Sequence, residues 1–287
     1  RRLIISASRR TDIPAFYTDW FLRRIEEQYC TVANPFNPRQ VARVSLAPAD
    51  VDAIVFWTKD ARSLLPHLDR LTRLGYRYYF QYTVNGYGEL FEPHVPPLDA
   101  CIDTFCELAA KIGPDQVIWR YDPIVISNKT DAEYHKDRFA AILDRLRSAT
   151  RRVVISFVDD YRKATSQFRQ LAREGVAVRL TPAPAEVADL AEFIADSAAA
   201  QGIAAFSCAE TLDLQPFGIQ PGKCIDNALI QRLFGIRVAS GKDRSQRPEC
   251  GCAAAKDIGV YGTCRHGCRY CYAGSLKPGQ PPPMIDS

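Results

Sequence analysis

Residues 53–84 read AIVFWTKDARSLLPHLDRLTRLGYRYYFQYTV, and this stretch decides the fold. Ala53 to Thr58 reads as a strand, a short apolar run rich in residues that favour extended backbone. Leu64, Leu65, Leu68, Leu71 and Leu74 then recur at helical spacing until Gly75 stops them. Tyr78 to Val84 is the next strand. A strand, a helix and a strand with short connections make a parallel unit with a helical crossover.

The unit repeats in both directions along the chain. Towards the N-terminus, Leu3 to Ser8 is a strand, and Pro14 opens a helix that carries Phe16, Trp20, Phe21 and Ile25 on one face. Towards the C-terminus, a helix from Leu98 to Ile112 stops at Gly113-Pro114. Gln116 to Tyr121 is a strand backed by a helix carrying Phe139, Ile142, Leu143 and Leu146. Val153 to Val158 follows, then a helix through Phe168 and Leu171 that ends at Gly175. Val176 to Leu180 and Ile203 to Ser207 read as strands separated by an Ala-rich helix bearing Val187, Leu190 and Ile194. About seven or eight such units predict an α/β fold of the TIM-like (β/α) barrel type, complete or partial, with an open doubly wound sheet as the alternative. Residues 1–207 form the barrel in this reading. Residues 208–287 form a cysteine-rich segment that completes the catalytic face of the same structural unit, with a short helix near Ile225 to Phe234 and a proline-rich exit at 278–283.

Composition narrows the function classes. The 287 residues are 47% hydrophobic and 24% charged, which fits an ordinary globular enzyme rather than a disordered chain. The net charge of +4 arises from 37 basic and 33 acidic residues, too little excess to name a nucleic-acid or membrane partner. No apolar run of membrane length and no basic-then-apolar signal segment before Leu3 are found, so no membrane partner and a cytoplasmic location are expected.

The ten cysteines point to metal rather than to disulfides, because a chain this long needs no covalent staples to hold a core. Cys30, Cys101 and Cys106 are scattered and read as packing residues. The stretch Thr263-Cys-Arg-His-Gly-Cys-Arg-Tyr-Cys-Tyr272 places Cys264, Cys268 and Cys271 in a C-x3-C-x2-C pattern on a loop that Gly267 allows to bend. Three thiolates on a 4Fe-4S cluster leave one iron open to a small molecule, whereas electron carriers supply all four sulfurs. A structural zinc site, with His266, Cys250 or Cys252 as fourth ligand, is the competing reading.

The triplet, with Tyr270 just before its third cysteine, is similar to the signature of radical S-adenosylmethionine (SAM) enzymes. The resemblance implies a cluster whose open iron chelates SAM, Tyr270 against the adenine, and a reductant such as flavodoxin or ferredoxin. Typical members carry the triplet near the N-terminus, after the first strand of a partial barrel. Here it lies at the other end of the chain, so a permuted connectivity is expected in which the last loop meets the loop after Ser8. Together with Ser8-Arg-Arg-Thr-Asp-Ile-Pro14, Trp119-Arg-Tyr-Asp-Pro123 and Glu249-Cys-Gly-Cys252, the chain resembles the bacterial family called domain of unknown function 1848.

Cys250 and Cys252 face the same way on extended backbone, and with Cys208 and Cys224 they read as a second four-sulfur set for an auxiliary iron–sulfur cluster or zinc, with buried free thiols as the alternative. Ligands of parallel α/β proteins bind beyond the carboxyl ends of the strands. Ser6, Ser8, Arg9 and Arg10 follow the first strand, with Thr11 and with Asp12 as a helix cap. Thr58, Lys59, Gln81, Thr83, Asn85, Arg120, Asp122, Ser156, Asp159 and Glu210 end later ones. Of these, Arg9, Arg10, Arg120 and Asp122 are the catalytic candidates, and Ser6, Ser8 and Glu210 join Tyr270 as cofactor contacts. Asn34 to Pro38 reads as a shaped loop over the same face. His67, His94 and His135 read as packed or exposed, and His266 is the histidine worth testing.

The expected function is SAM cleavage that generates a radical on an unknown substrate. Transfer of an aminocarboxypropyl group from SAM is the enzymatic alternative. A non-catalytic iron–sulfur or zinc protein that binds nucleic acid through Arg244, Arg247, Arg265 and Arg269 is the third reading.

Overall fold

The computed structural model describes residues 2–35, 37–159, 162–239, 241–243 and 246–276. In chain order the elements are β1 (Leu3–Ala7), α1 (Ile13–Phe16), α2 (Thr18–Glu27), β2 (Tyr29–Asn34), β3 (Asn37–Ser45), β4 (Val51–Thr58), α3 (Leu68–Arg73), β5 (Tyr78–Thr83), α4 (Leu98–Ile112), β6 (Val117–Ile124), α5 (Ala132–Leu146), β7 (Arg152–Phe157), α6 (Arg162–Arg173), α7 (Pro184–Ala200), β8 (Ala204–Ser207), β9 (Gln220–Pro221), α8 (Asn227–Phe234) and β10 (Lys256–Asp257). Eight strands form one sheet in the order β10-β1-β4-β5-β6-β7-β8-β9, and each neighbour pairs in parallel. Among the described residues no pairing of β9 with β10 closes the sheet into a ring.

Side chains alternate between the two faces of a strand, and each face of this sheet has its own core. One face carries Ile5, Phe56, Phe80, Trp119, Tyr121 and Ile155, which pack with Phe21, Leu68, Phe105, Phe139 and Leu190 from the crossover helices. Crossovers of one hand between neighbouring strands put those helices on a single side. The opposite face carries Ile4, Val55, Tyr79, Ile118 and Val154, and it is covered by Cys224, Ile225, Leu229, Ile230, Cys250 and Cys252. Burial on both faces explains why these strands read as unbroken apolar runs. The cysteine-rich segment thus fills the side that the helices leave open, and through β9 and β10 it also supplies both edges of the sheet.

Two expectations need correction. Val176 to Leu180 is not a strand of the sheet: β7 pairs directly with β8, and Val178 makes only an isolated antiparallel bridge with Ser127. Val176 packs instead with Tyr87, Phe91, Phe168 and Tyr270. Asn34 to Pro38 is not a free-standing loop. It contains the turn of the antiparallel hairpin β2–β3, which is inserted in the return from α2 to β4, although Phe36 itself is outside the described residues. The proline-rich stretch at 278–283 is also outside them.

His135 is buried as expected of a packed histidine. Its Nδ1 lies 2.7 Å from Tyr121 Oη and its Nε2 3.0 Å from Val125 O. Burial lowers its pKa to about 4, so the ring is held neutral. No helix among the described residues is long and apolar enough to cross a membrane.

Candidate functional site

The cysteine triplet lies on the loop from Thr263 to Tyr272, and that loop is fastened to residues following β1, β4 and β5. Tyr17 Oη donates to Thr263 O at 2.6 Å, and Tyr272 Oη donates to Arg9 O at 2.9 Å. His94 N donates to His266 O at 3.1 Å, and Arg269 N donates to Phe91 O at 2.8 Å. Gly267 has φ +68°, and an added Cβ would stand 2.9 Å from the His94 ring, so the bend requires glycine there. The loop after β1 and the C-terminal triplet are therefore direct neighbours, although more than 240 residues separate Tyr17 from Thr263 along the chain.

Asp12 joins these parts. Its Oδ1 accepts from Ala15 N at 3.0 Å, the helix cap expected from sequence, and from Thr58 Oγ1 at 2.8 Å. Its Oδ2 accepts from Lys59 N at 2.7 Å and lies 2.8 Å from His266 Nε2. His266 is thus committed to Asp12 and packs on Phe16 at 4.6 Å between ring centroids. Cys250 and Cys252 belong to a different cluster. None of the three residues weighed as a fourth zinc ligand for the triplet is placed to serve it.

Behind Cys268 lies a buried network that the sequence did not reveal. Lys59 Nζ is 2.8 Å from both Glu92 Oε1 and Tyr270 Oη, and Asn85 Nδ2 donates to Glu92 Oε1 at 3.1 Å. Tyr270 Oη also donates to Glu92 Oε1. Burial by itself would raise the Glu92 carboxyl, but Lys59, Tyr270 and Asn85 hold it below its usual value. Glu92 and Asn85 also line a cavity of about 350 Å³ shared with Thr83, Glu89, Pro96 and Cys101. Tyr270 is therefore fixed by its hydroxyl, with its ring packed on Tyr87 at 6.1 Å.

Burial disfavours the thiolate form of two thiols of the triplet. Burial pushes Cys264 up to about 12, with Asp12 and Cys271 adding to it, and burial likewise raises Cys268 against the pull of Lys59. Among the described residues no three His, Cys, Asp or Glu side chains converge as ligands of one metal ion. Zinc demands such convergence, since its sulfurs all lie at about 2.3 Å from one point. A cubane takes each thiolate on a different iron, and the triplet carries three such donors on one loop.

Ser6 and Ser8, expected at the cofactor, direct both hydroxyls to Asp257. The contacts are Ser6 Oγ to Oδ2 at 2.8 Å and Ser8 Oγ to Oδ1 at 2.6 Å. Arg9 N and Gly259 N add donors at 2.9 Å each. Gly259 sits so close that an added Cβ would stand 2.1 Å from Ser8 Oγ. Arg10 reaches Gly259 O at 3.4 Å and covers Tyr261 at 5.0 Å. These residues fasten the cysteine-rich segment to β1. Glu210 accepts from Phe157 N at 3.0 Å and Thr211 N at 3.1 Å, capping the end of β7.

Arg9 and Arg120 both lie against Trp57, 5.4 Å and 5.2 Å from its ring centroid. Arg9 Nη1 is 3.4 Å from Asp243. Arg120 pairs with Asp122, and its Nη1 reaches Gln81 Oε1 at 3.3 Å and Cys224 Sγ at 2.8 Å. Asp122 also accepts from Ser156 Oγ. The four cysteines of the second set are together: Cys208 Sγ lies 3.1 Å from Cys224 Sγ, and Cys252 lies beside both Cys224 and Cys250. The hydrogen bond with Cys224 draws Cys208 down to about 7 against burial, with help from Arg120.

The arginines considered for nucleic acid are engaged elsewhere. Arg247 pairs with Asp159, Arg269 pairs with Glu174, and Arg265 stacks on Tyr17 at 5.8 Å. Arg244 lies outside the described residues.

Fold and site define an α/β protein in which a C-terminal cysteine-rich segment is laid over one face of a parallel eight-stranded sheet. The chain belongs to the family described as domain of unknown function (DUF1848), whose model matches residues 4–273. No curated protein matches it. A crystal structure described as a candidate alpha-L-fucosidase from Bacteroides thetaiotaomicron is similar at 11% identity over 66% of this chain and 73% of that one. Its TM-score of 0.26 carries no argument for fold or function.

Proposed function

We propose that the protein is a radical SAM-type enzyme, in which Cys264, Cys268 and Cys271 hold a 4Fe-4S cluster with one iron left for SAM. The observation that carries this reading is the seating of a C-x3-C-x2-C loop beside the residues that follow β1, β4 and β5, the end of a parallel sheet at which α/β proteins bind ligands. In this reading the parallel sheet acts as a partial barrel, with the order of its parts rotated so that the cluster loop comes last. A reduced cluster held by Cys264, Cys268 and Cys271 would supply the single electron needed to cleave a sulfonium carbon–sulfur bond of SAM.

This chain's own residues do the rest. Glu92, Lys59 and Asn85 fix the Tyr270 hydroxyl and so set the ring beside the third cysteine. Lys59 lies close enough to Cys268 to offset the charge of its thiolate. Asp12 holds His266, and with it the bend between the first two cysteines.

Anaerobic protein reconstituted with iron and sulfide, then given SAM and dithionite, is expected to release 5′-deoxyadenosine. Methylthioadenosine as the product would assign aminocarboxypropyl transfer instead. Intact SAM under several reductants, with the cluster present, would sink the proposal.

A further inference from the structure

Cys208 follows β8 and Cys224 follows β9, and these two strands are parallel neighbours at one edge of the sheet. We propose that Cys208 and Cys224 form a redox-active dithiol, which a low-molecular-weight disulfide oxidises to an internal disulfide bond.

The two sulfurs stand 3.1 Å apart, and both cysteines are free. A disulfide bond is about 2.05 Å long, so an approach of about 1 Å makes it, within reach of side-chain rotation. The backbone that carries each sulfur is held in place. Cys208 N donates to Ile155 O at 2.9 Å, and Cys224 O accepts from Tyr79 Oη at 2.7 Å and from Gln81 Nε2 at 2.9 Å. Between the two cysteines, Gly222 N donates to Ser207 O at 2.8 Å, and an added Cβ at Gly222 would stand 2.8 Å from that same oxygen. A side chain there would push the two cysteines apart.

Contact between the sulfurs favours a bond to each other over a shared metal. Thiolates of a cubane sit on separate irons, which sulfurs this close do not reach. Among the described residues no three His, Cys, Asp or Glu side chains are placed to hold a metal ion.

Access and charge set the order of events. Cys208 is half-buried and meets the oxidant first, whereas Cys224 is 2% exposed. Arg120 Nη1 donates to Cys224 Sγ at 2.8 Å. Cys224, and after it Arg120, draw the Cys208 thiol below its usual pKa. A cation beside the sulfurs favours the thiolate, which is the nucleophile. The Cys208 thiolate attacks one sulfur of the oxidant R–S–S–R. The electron pair of the broken bond leaves on one R–S group, which takes up the proton that Cys208 released. The Cys224 thiolate then attacks the Cys208 sulfur of the mixed disulfide, and the second R–S group leaves with the Cys224 proton. Two protein thiols are oxidised, and the small disulfide is reduced to two thiols. Cys250 and Cys252 are buried and stay reduced.

The test uses the full wild-type chain, reduced and treated with a chelator under argon, then equilibrated with oxidised glutathione at rising ratio to reduced glutathione. Free thiols are alkylated and peptides are mapped by mass spectrometry. The expected product is one disulfide joining Cys208 to Cys224, reversed by dithiothreitol. Cys224→Ser should stop the reaction at a glutathione adduct on Cys208, and Cys208→Ser should abolish both the bond and the adduct. Cys208 and Cys224 both alkylated at the most oxidising ratio would overturn the proposal. So would a bond that instead joins Cys252 to Cys224 or to Cys250, or a Cys224→Ser protein with the wild-type circular dichroism spectrum whose Cys208 takes no glutathione. Iron or zinc that resists the chelator and is lost in Cys224→Ser would overturn it as well.

Discussion

Cys268→Ala is expected to lower reductive SAM cleavage by at least about 100-fold, the scale on which even the supports of metal ligands are felt. Cys268 is the middle cysteine of the loop, and it is flanked by Lys59, Glu92 and the other two thiols. Removing it leaves two sulfurs, which cannot retain a cubane that already relies on three. Cys264→Ala and Cys271→Ala should fail in the same way. Cys106→Ala is the control, since that thiol sits on α4, packs at the edge of the core and donates to Arg145 O at 3.8 Å, with no link to the triplet loop among the described hydrogen bonds. The rate of 5′-deoxyadenosine formation in the four variants checks this. A Cys268→Ala protein with wild-type turnover would remove the triplet from the chemistry.

Glu92→Ala should destabilise the protein by about 3–5 kcal/mol, because it leaves the Lys59 ammonium buried without its carboxylate. Glu92 is 3% exposed and Lys59 15% by side chain, so water cannot replace the lost partner. The Tyr270 and Asn85 bonds to the same oxygen are lost as well. Combining Glu92→Ala with Lys59→Met should recover part of the loss, since the unpaired charge is then gone. Urea unfolding of the two single variants and the double variant measures the coupling. A loss under about 1 kcal/mol for Glu92→Ala, or strict additivity, would show that the pair is solvated like a surface salt bridge.

The six long strands of the sheet were legible because parallel strands buried on both faces read as plain apolar runs. The hairpin β2–β3 escaped notice for the opposite reason. Arg39, Gln40, Val41 and Arg43 are exposed, so the polar and apolar residues of β3 give no run to detect. Val176 to Leu180 misled because its composition suits a strand while the edge of β7 it needed is taken by β8. Propensity describes the segment and not the availability of a partner.

The triplet was readable from spacing alone, as was the cap at Asp12. Asp257 and Glu92 were not. Asp257 is a single carboxylate in the two-residue strand β10 and Glu92 a single carboxylate on a loop, and their partners lie 251 residues away at Ser6 and 178 residues away at Tyr270. Nothing local in sequence marks a residue whose role is to join distant segments. The short alternating stretch Asp257-Ile-Gly-Val260, just ahead of the triplet, was the available hint that the chain re-enters the sheet there. Ser6 and Ser8 were read correctly as residues at a strand end, yet their hydroxyls serve Asp257.

The central claim is that the triplet leaves one iron open and that SAM takes it. Electron paramagnetic resonance of the reduced protein, recorded with and without SAM, tests this. The account predicts a cluster signal whose shape changes when SAM is added. A reduced cluster whose signal is indifferent to saturating SAM would contradict it.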